Sequence, residues 1–193
     1  MVRWEPDARG RLQHAALELY AERGFEATTA HDIAERAGVT ERTFFRHFPD
    51  KREVLFDGSA RLQQAMVAAV AASPAMSPLG VIVDALQAPA EFFDDIREWA
   101  TKRTAVIAAT PSLQERELLK LYRMSEAIAD ALVARGTEPA QAALAADLGI
   151  AVFHRSFQLW ISGENDFGSC VRATLHDLER VTADARLEPE TTR

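Results

Sequence analysis

Residues 37–51 read AGVTERTFFRHFPDK, and this stretch decides the fold. Its centre, ERTFFRH (41–47), places two arginines, a histidine and two adjacent phenylalanines between the turn residue Gly38 and the stop at Pro49. The spacing predicts a helix too short to stand alone, because nucleation is unfavourable and isolated helices below about 12 residues are marginal in water. Neighbours must hold it. At about 100° per residue, Phe44 and Phe48 fall on one side, while Arg42 and Arg46 lie opposite, flanked by Phe45 and Thr43. One face is an anchor and the other a display. An anchoring ring buries roughly 150–250 Å², which at about 25 cal/mol per Å² gives an upper bound of some 4–6 kcal/mol, enough to fix the segment.

The expected receiving surface is Leu19, Phe25, Ile33, Ala34, Ala37 and Val39. Gly38, in the turn GVT, permits the sharp crossing of a helix-turn-helix, whose second helix enters the DNA major groove. On the displayed side, Arg42 and Arg46 offer forked donors to guanine or phosphate, and Thr43 offers a hydroxyl to either. Standing alone, the two arginines would read equally well as a solvated helix face. Phe45 shifts that balance, since a ring on the polar side is better explained by a sugar or a thymine methyl than by chance exposure. His47 fits a structural hydrogen bond or a phosphate contact. Thr40 caps the helix and joins the candidate DNA contacts.

Beyond Pro49, a long helix is expected from Asp50 to about Ser73, with Lys51 and Arg52 in its first turn. The macrodipole disfavours cations there by a few tenths to about one kcal/mol, so Lys51 reads as half of a phosphate clamp. Thr29, at the start of a preceding short helix (29–37), is either the matching clamp or a simple cap, and the two roles are compatible.

The whole-chain charge of −7 argues at first against a polyanionic partner. Its distribution reverses that: residues 36–52 hold five cations against two acids, a local +3 that leaves −10 elsewhere. With a Debye length of about 8 Å at physiological ionic strength, the remote acidic surface is largely screened. A single cysteine, Cys170, excludes an internal disulfide and any multi-cysteine metal site, and points to a reducing compartment. The N-terminus MVRWEPDARGRL lacks a signal-peptide core, and the longest apolar run, AMVAAVAA (65–72), falls well short of the ~20 residues of a membrane span. A cytoplasmic protein with no membrane partner is expected.

Apolar periodicity near 3.6 recurs throughout and no segment alternates at period two, which predicts an all-α chain. Asp7 is the expected cap of the first helix, and Thr29 with Asp32 forms a capping pair for the second. Later helices are expected at about 79–88, 90–109, 112–135, 139–162 and 167–185, followed by a frayed tail, LEPETTR. The expected division is a DNA-binding domain over 1–57 and a ligand-binding and dimerisation domain over 58–193.

The run TTAHDIAERAGVTERTFFRHFPDKREVL (28–55), preceded by ALELYAERGFEATT, resembles the N-terminal DNA-binding domain of the TetR family of bacterial transcriptional regulators. The resemblance covers about residues 10–57. It implies a homodimer on a palindromic operator in double-stranded DNA, most often a repressor released by a small molecule. Many members carry tyrosine at the position of Phe45, so the phenolic phosphate contact is absent here and an apolar one remains.

In the larger domain, helix 139–162 carries two apolar stripes: Ala146, Ile150, Phe153, Phe157 and Trp160 on one side, and Leu144, Leu148, Val152 and Leu159 on another. One is expected to face its own core. The other, with Phe167, Val171, Leu175 and Leu178 of the last helix, is expected to pack on a second subunit as a four-helix bundle; a single large monomeric core is the alternative. Phe92, Phe93, Trp99, Leu121, Met124, Phe157 and Trp160 are the candidate ligand contacts, although each taken singly reads more readily as core. The stretches RTAVIAATPSLQERELLK and WISG resemble regulators of the mycofactocin type, which implies acyl-CoA thioester effectors.

Enzymatic signals are sparse. Asp94 and Asp95 point about 100° apart on a helix, the histidines lack metal-ligand spacing, and no nucleophile elbow, phosphate loop or dinucleotide fingerprint occurs. No cofactor and no metal are expected. The competing reading is a small all-helical enzyme or ligand carrier that uses the helix-turn-helix only as scaffold.

Overall fold

The computed structural model describes residues 8–88, 93, 96–163 and 165–183. The expected cap Asp7, the ligand candidate Phe92, the Asp94 and Asp95 pair and the polar tail lie outside them. Among the described residues there is no strand. The chain forms α1 (Ala8–Arg23), α2 (Ala30–Arg36), α3 (Glu41–His47), a 3₁₀ turn (Glu53–Phe56), α4 (Ser59–Ala72), α5 (Pro78–Gln87), α6 (Arg97–Ala108), α7 (Pro111–Ala134), α8 (Pro139–Ser162) and α9 (Phe167–Thr182). The all-α class follows from the sequence period. No helix is long and apolar enough to cross a membrane, among the described residues.

Two elements depart from expectation. The single helix expected from Asp50 to Ser73 is broken into the 3₁₀ turn and α4, which begins only after Gly58. Asp57 at the break accepts from Arg9 and Gln13 of α1, and these bonds hold the chain where a continuous helix would have carried it onward. The helix expected from Ala90 starts at Arg97.

The chain divides into two compact units. One comprises residues 1–64 and 98–123; the other comprises 65–97 and 124–193. In the first, Leu12, Leu19, Ile33, Phe44, Phe48 and Leu55 share a core with Val106 and Ile107 of α6 and Leu113 of α7. Residues of α6 and α7 thus belong to the same buried cluster as the three-helix head.

In the second unit α8 packs against α5 and α9. Gly149 makes the α5 contact possible: a Cβ there would lie 2.8 Å from Ile82 Cγ2. Between α8 and α9 the buried Ser156 hydroxyl donates to the Thr174 hydroxyl at 3.0 Å, and Thr174 passes its own proton to the Cys170 carbonyl one turn back. Phe167 and Val171, expected on a subunit interface, are instead buried in their own chain. They sit on the face of α9 that α8 covers, and the first residue of a helix can point inward as readily as outward.

Candidate nucleic-acid interface

The helix-turn-helix is assembled by caps. Thr29 forms a full capping box with Asp32: its Oγ1 accepts from the Asp32 amide and donates to the Asp32 carboxylate, which also accepts from the Thr29 amide. The Thr29 hydrogen bonds hold the Asp32 carboxyl below the usual carboxylate range. Gly38 has a φ of +68°, a left-handed conformation that reverses the chain between α2 and α3. Arg11 of α1 steadies this turn by donating to the Ala37 carbonyl. Thr40 then caps α3 by accepting from the Thr43 amide.

α3 has the two faces its sequence predicts. Phe44 and Phe48 are fully buried, 5.8 Å apart between ring centroids, against Ile33, Ala34 and their neighbours. Every expected receiving residue is in place, with Val39 half-buried at the edge. Arg42 and Arg46 are exposed, and Phe45 is 52% exposed. Phe45 stands edge-on to Phe44, with centroids 5.3 Å apart and planes at 85°, so the displayed ring is braced by the anchored one. The Thr40 and Thr43 hydroxyls lie 3.0 Å apart; one bond between them leaves one O–H proton to donate outward. His47 is half-buried, with Nε2 at 3.5 Å from an Arg46 nitrogen.

The basic patch is narrower than its charge count. Arg36 is held by Glu22 and Glu18 of α1, and Arg52 by Asp50. Asp50 is raised by partial burial but lowered more by bonds from Arg52 and the amides of Arg52 and Glu53, so it stays ionised. Arg42 and Arg46 remain as the cations of the displayed face. Lys51 requires a correction. It lies before the 3₁₀ turn rather than in a helix, and its ammonium points inward, to the carbonyls of Phe25 at 2.8 Å, Thr28 at 2.9 Å and Glu26 at 3.5 Å. The cause is the loop after α1, whose carbonyls have no helical ladder to enter and gather around the Lys51 ammonium.

Sequence reasoning missed the joint at residues 53–57. Glu53 accepts from Arg116 at 2.6 Å and Lys120 at 2.8 Å, both on α7. Arg103 of α6 donates to the Leu55 carbonyl at 2.7 Å and to Glu117 at 2.9 Å, and lies over the Phe56 ring. The only local signal was the i, i+4 pair Arg116 and Lys120, which places two cations on one helix face.

The ligand candidates divide between the units. Phe93, Phe157 and Trp160 come together in the second unit, with Phe93 at 6.1 Å from Phe157, 5.1 Å from Trp160 and 4.1 Å from Phe167. These rings fill one another's space, and Phe157 alone of them is half-buried rather than buried. Met124 is buried in the same unit. Trp99 packs on the core of the first unit, and Leu121 is half-buried there, so neither belongs to the ring cluster.

Known proteins share this organisation. The family described as bacterial regulatory proteins, tetR family, matches residues 12–57, and the MftR C-terminal domain matches residues 76–183, more than half of the chain. TcmR of Streptomyces glaucescens, an HTH-type transcriptional regulator, is 41% identical over 81 residues, 42% of this chain and 36% of TcmR. MftR of Mycobacterium tuberculosis H37Rv, whose name assigns it to the regulation of mycofactocin biosynthesis, is 31% identical over 123 residues, 61% of this chain and 60% of MftR. The matched stretches span less than two thirds of either relative. Among solved structures, a protein from Syntrophomonas wolfei str. Goettingen described as a TetR-family regulator superposes with a TM-score of 0.65 at 14% identity, over 95% of this chain and 98% of that one. FadR of Thermus thermophilus, a TetR-family repressor solved with lauroyl-CoA, superposes with a TM-score of 0.54 at 21% identity, over 96% and 99%. At these identities the two structures speak to fold alone. With both of its domains matched, the chain belongs to the TetR family of bacterial regulatory proteins, with a C-terminal domain of the MftR type.

Proposed function

We propose that the protein is a ligand-responsive repressor that binds a palindromic operator as a homodimer and leaves it when a small hydrophobic or acyl-CoA-type effector binds. One observation carries this reading: α3 is anchored by Phe44 and Phe48 and displays Arg42, Phe45 and Arg46 to solvent. In the major groove the two guanidiniums address guanine edges or phosphates, Thr43 and Thr40 supply the outward hydroxyl proton, and Phe45 meets a sugar or a thymine methyl. His47 and Thr29 flank the groove beside the backbone. Two such helices, one per subunit, would read half-sites about 34–36 Å apart or a multiple of it.

The effector assignment draws on FadR and its lauroyl-CoA, on the MftR-type domain, and on the ring cluster of Phe93, Phe157 and Trp160. A ligand can drive release only through different affinities for two states, so a wedge between these rings must be transmitted to the spacing of the two heads. The break at residue 57 makes the Glu53 and Arg103 contacts with α6 and α7 a better route than a stiff helix through α4.

Fluorescence anisotropy with duplexes from the gene's own upstream region, or selected from a random pool, tests the reading. Wild-type protein is expected to bind with steeply salt-dependent affinity, and Arg42→Ala with Arg46→Ala to lose that binding while keeping its helicity. Lauroyl-CoA and other acyl-CoAs titrated into the complex test the effector class. A protein that ignores every duplex would be a carrier or enzyme on a borrowed scaffold.

A further inference from the structure

Lys51 lies just past α3, and the role inferred for it rests on α3 being the operator-binding helix. A cation at such a place would ordinarily be assigned to a DNA phosphate. An ammonium has three donors. Here all three point at main-chain carbonyls of one loop, those of Phe25, Glu26 and Thr28, and the charge also sits 4.3 Å above the Phe25 ring. The main chain of the same residue is held from the other side: the buried Tyr20 hydroxyl donates to the Lys51 carbonyl at 2.6 Å. Tyr20 in turn meets Phe25 edge-on at 5.1 Å. Thr28, fully buried, closes the loop by donating to the Gly24 carbonyl.

These bonds join two segments that are far apart in sequence. One is the loop 24–28, which ends at Thr29, the cap of α2. The other is the turn 48–52, which follows α3. We infer that Lys51 is a positioning residue for operator recognition: it ties the start of α2 to the end of α3 and so sets the attitude of the displayed face, and it makes no ionic contact with phosphate through its side chain. Arginine would not replace it. A planar fork cannot direct three donors at carbonyls grouped around one point, although it would serve a phosphate as well as lysine does.

A phosphate cation and a positioning cation leave different signatures. Loss of a phosphate contact weakens binding to all sequences alike and lowers the slope of log K against log salt by about 0.9. Loss of alignment weakens the operator complex and spares random DNA. The test measures anisotropy of full-length wild type, Lys51→Met, Lys51→Arg and Tyr20→Phe on an operator duplex and on a random duplex, across a salt series. Lys51→Met and Lys51→Arg are each expected to lose operator affinity at least about tenfold, with random-duplex affinity and salt slope unchanged. Tyr20→Phe alters no charge and removes one bond to the same turn; it is expected to lose operator affinity in the same selective way, about threefold or more. It keeps the question answerable should the lysine variants fail to fold. Equal weakening on both duplexes with a slope smaller by about 0.9, full activity of Lys51→Arg, or an unaltered Tyr20→Phe would each overturn the inference. Failure of wild type to prefer any duplex would instead sink the operator reading on which it stands.

Discussion

Phe44 and Phe45 carry the same ring at adjacent positions, and one is fully buried while the other is 52% exposed. The 100° between neighbours on a helix makes that difference, which is why it could be read from the sequence. It also separates their mutants. Phe44→Ala empties a filled site beneath α3 and is expected to cost about 3–5 kcal/mol, seen as a lowered denaturation midpoint. Phe45→Ala forfeits only an edge-on ring contact of about 0.5–1.5 kcal/mol, yet is expected to weaken operator binding by roughly tenfold. Equal stability losses in urea melts would mean that the two faces are wrongly assigned. Lys51 shows where residue-level reading stops. Its partners lie 23 to 26 residues upstream, and no spacing rule announces that a loop will turn its carbonyls toward it.

Elements were legible where caps and period agreed, as at Thr29 and Thr40. They were not where tertiary contacts overrode the period. Residues 50–73 keep a helical pattern across Asp57 and Gly58, but Arg9 and Gln13 hold Asp57 and the helix restarts. The glycines Gly38 and Gly149 give two different tests of how elements meet. At Gly38 a Cβ would touch nothing, so Gly38→Ala is opposed by the left-handed backbone alone, about 1–2 kcal/mol, and Gly38→Asn should cost less because asparagine tolerates that region. At Gly149 the backbone is ordinary helix and the obstacle is Ile82 Cγ2; overpacking there is expected to cost about 1–3 kcal/mol. Gly149→Ala should therefore be milder in an Ile82→Ala background, measured as a coupling in a double-mutant cycle. Additive effects at 82 and 149 would show that the Cβ finds room without displacing Ile82.

At the scale of the whole molecule, a chain of net charge −7 must bind a polyanion with two displayed arginines per reading head. So small a set of contacts is insufficient singly. Joining two heads makes the second contact intramolecular and raises affinity by about 10²–10⁴ without new chemistry. The second unit leaves apolar side chains exposed that the proposed homodimer could cover. Leu144 of α8 is 71% exposed and Val181 of α9 is 79% exposed, while Leu148, Leu175 and Leu178 are only half-buried. Of the two stripes read from α8, that with Phe153 and Trp160 fills its own core, and Leu144 belongs to the other. The exposure of Leu144 was legible because Leu144 and Leu148 repeat at helical spacing away from the aromatic stripe. Phe167 and Val171 were not separable in this way, since they look identical in sequence whether their own chain or a second subunit covers them. Sedimentation velocity is expected to find a dimer for wild type and a monomer for Leu144→Glu with Val181→Glu, whose carboxylates would have to be desolvated on association. The charged variant should retain its secondary structure by circular dichroism and bind the palindrome at least about 10²-fold more weakly, close to the affinity of wild type for an isolated half-site. A variant that remains dimeric with full affinity would move the subunit contact off these two helices.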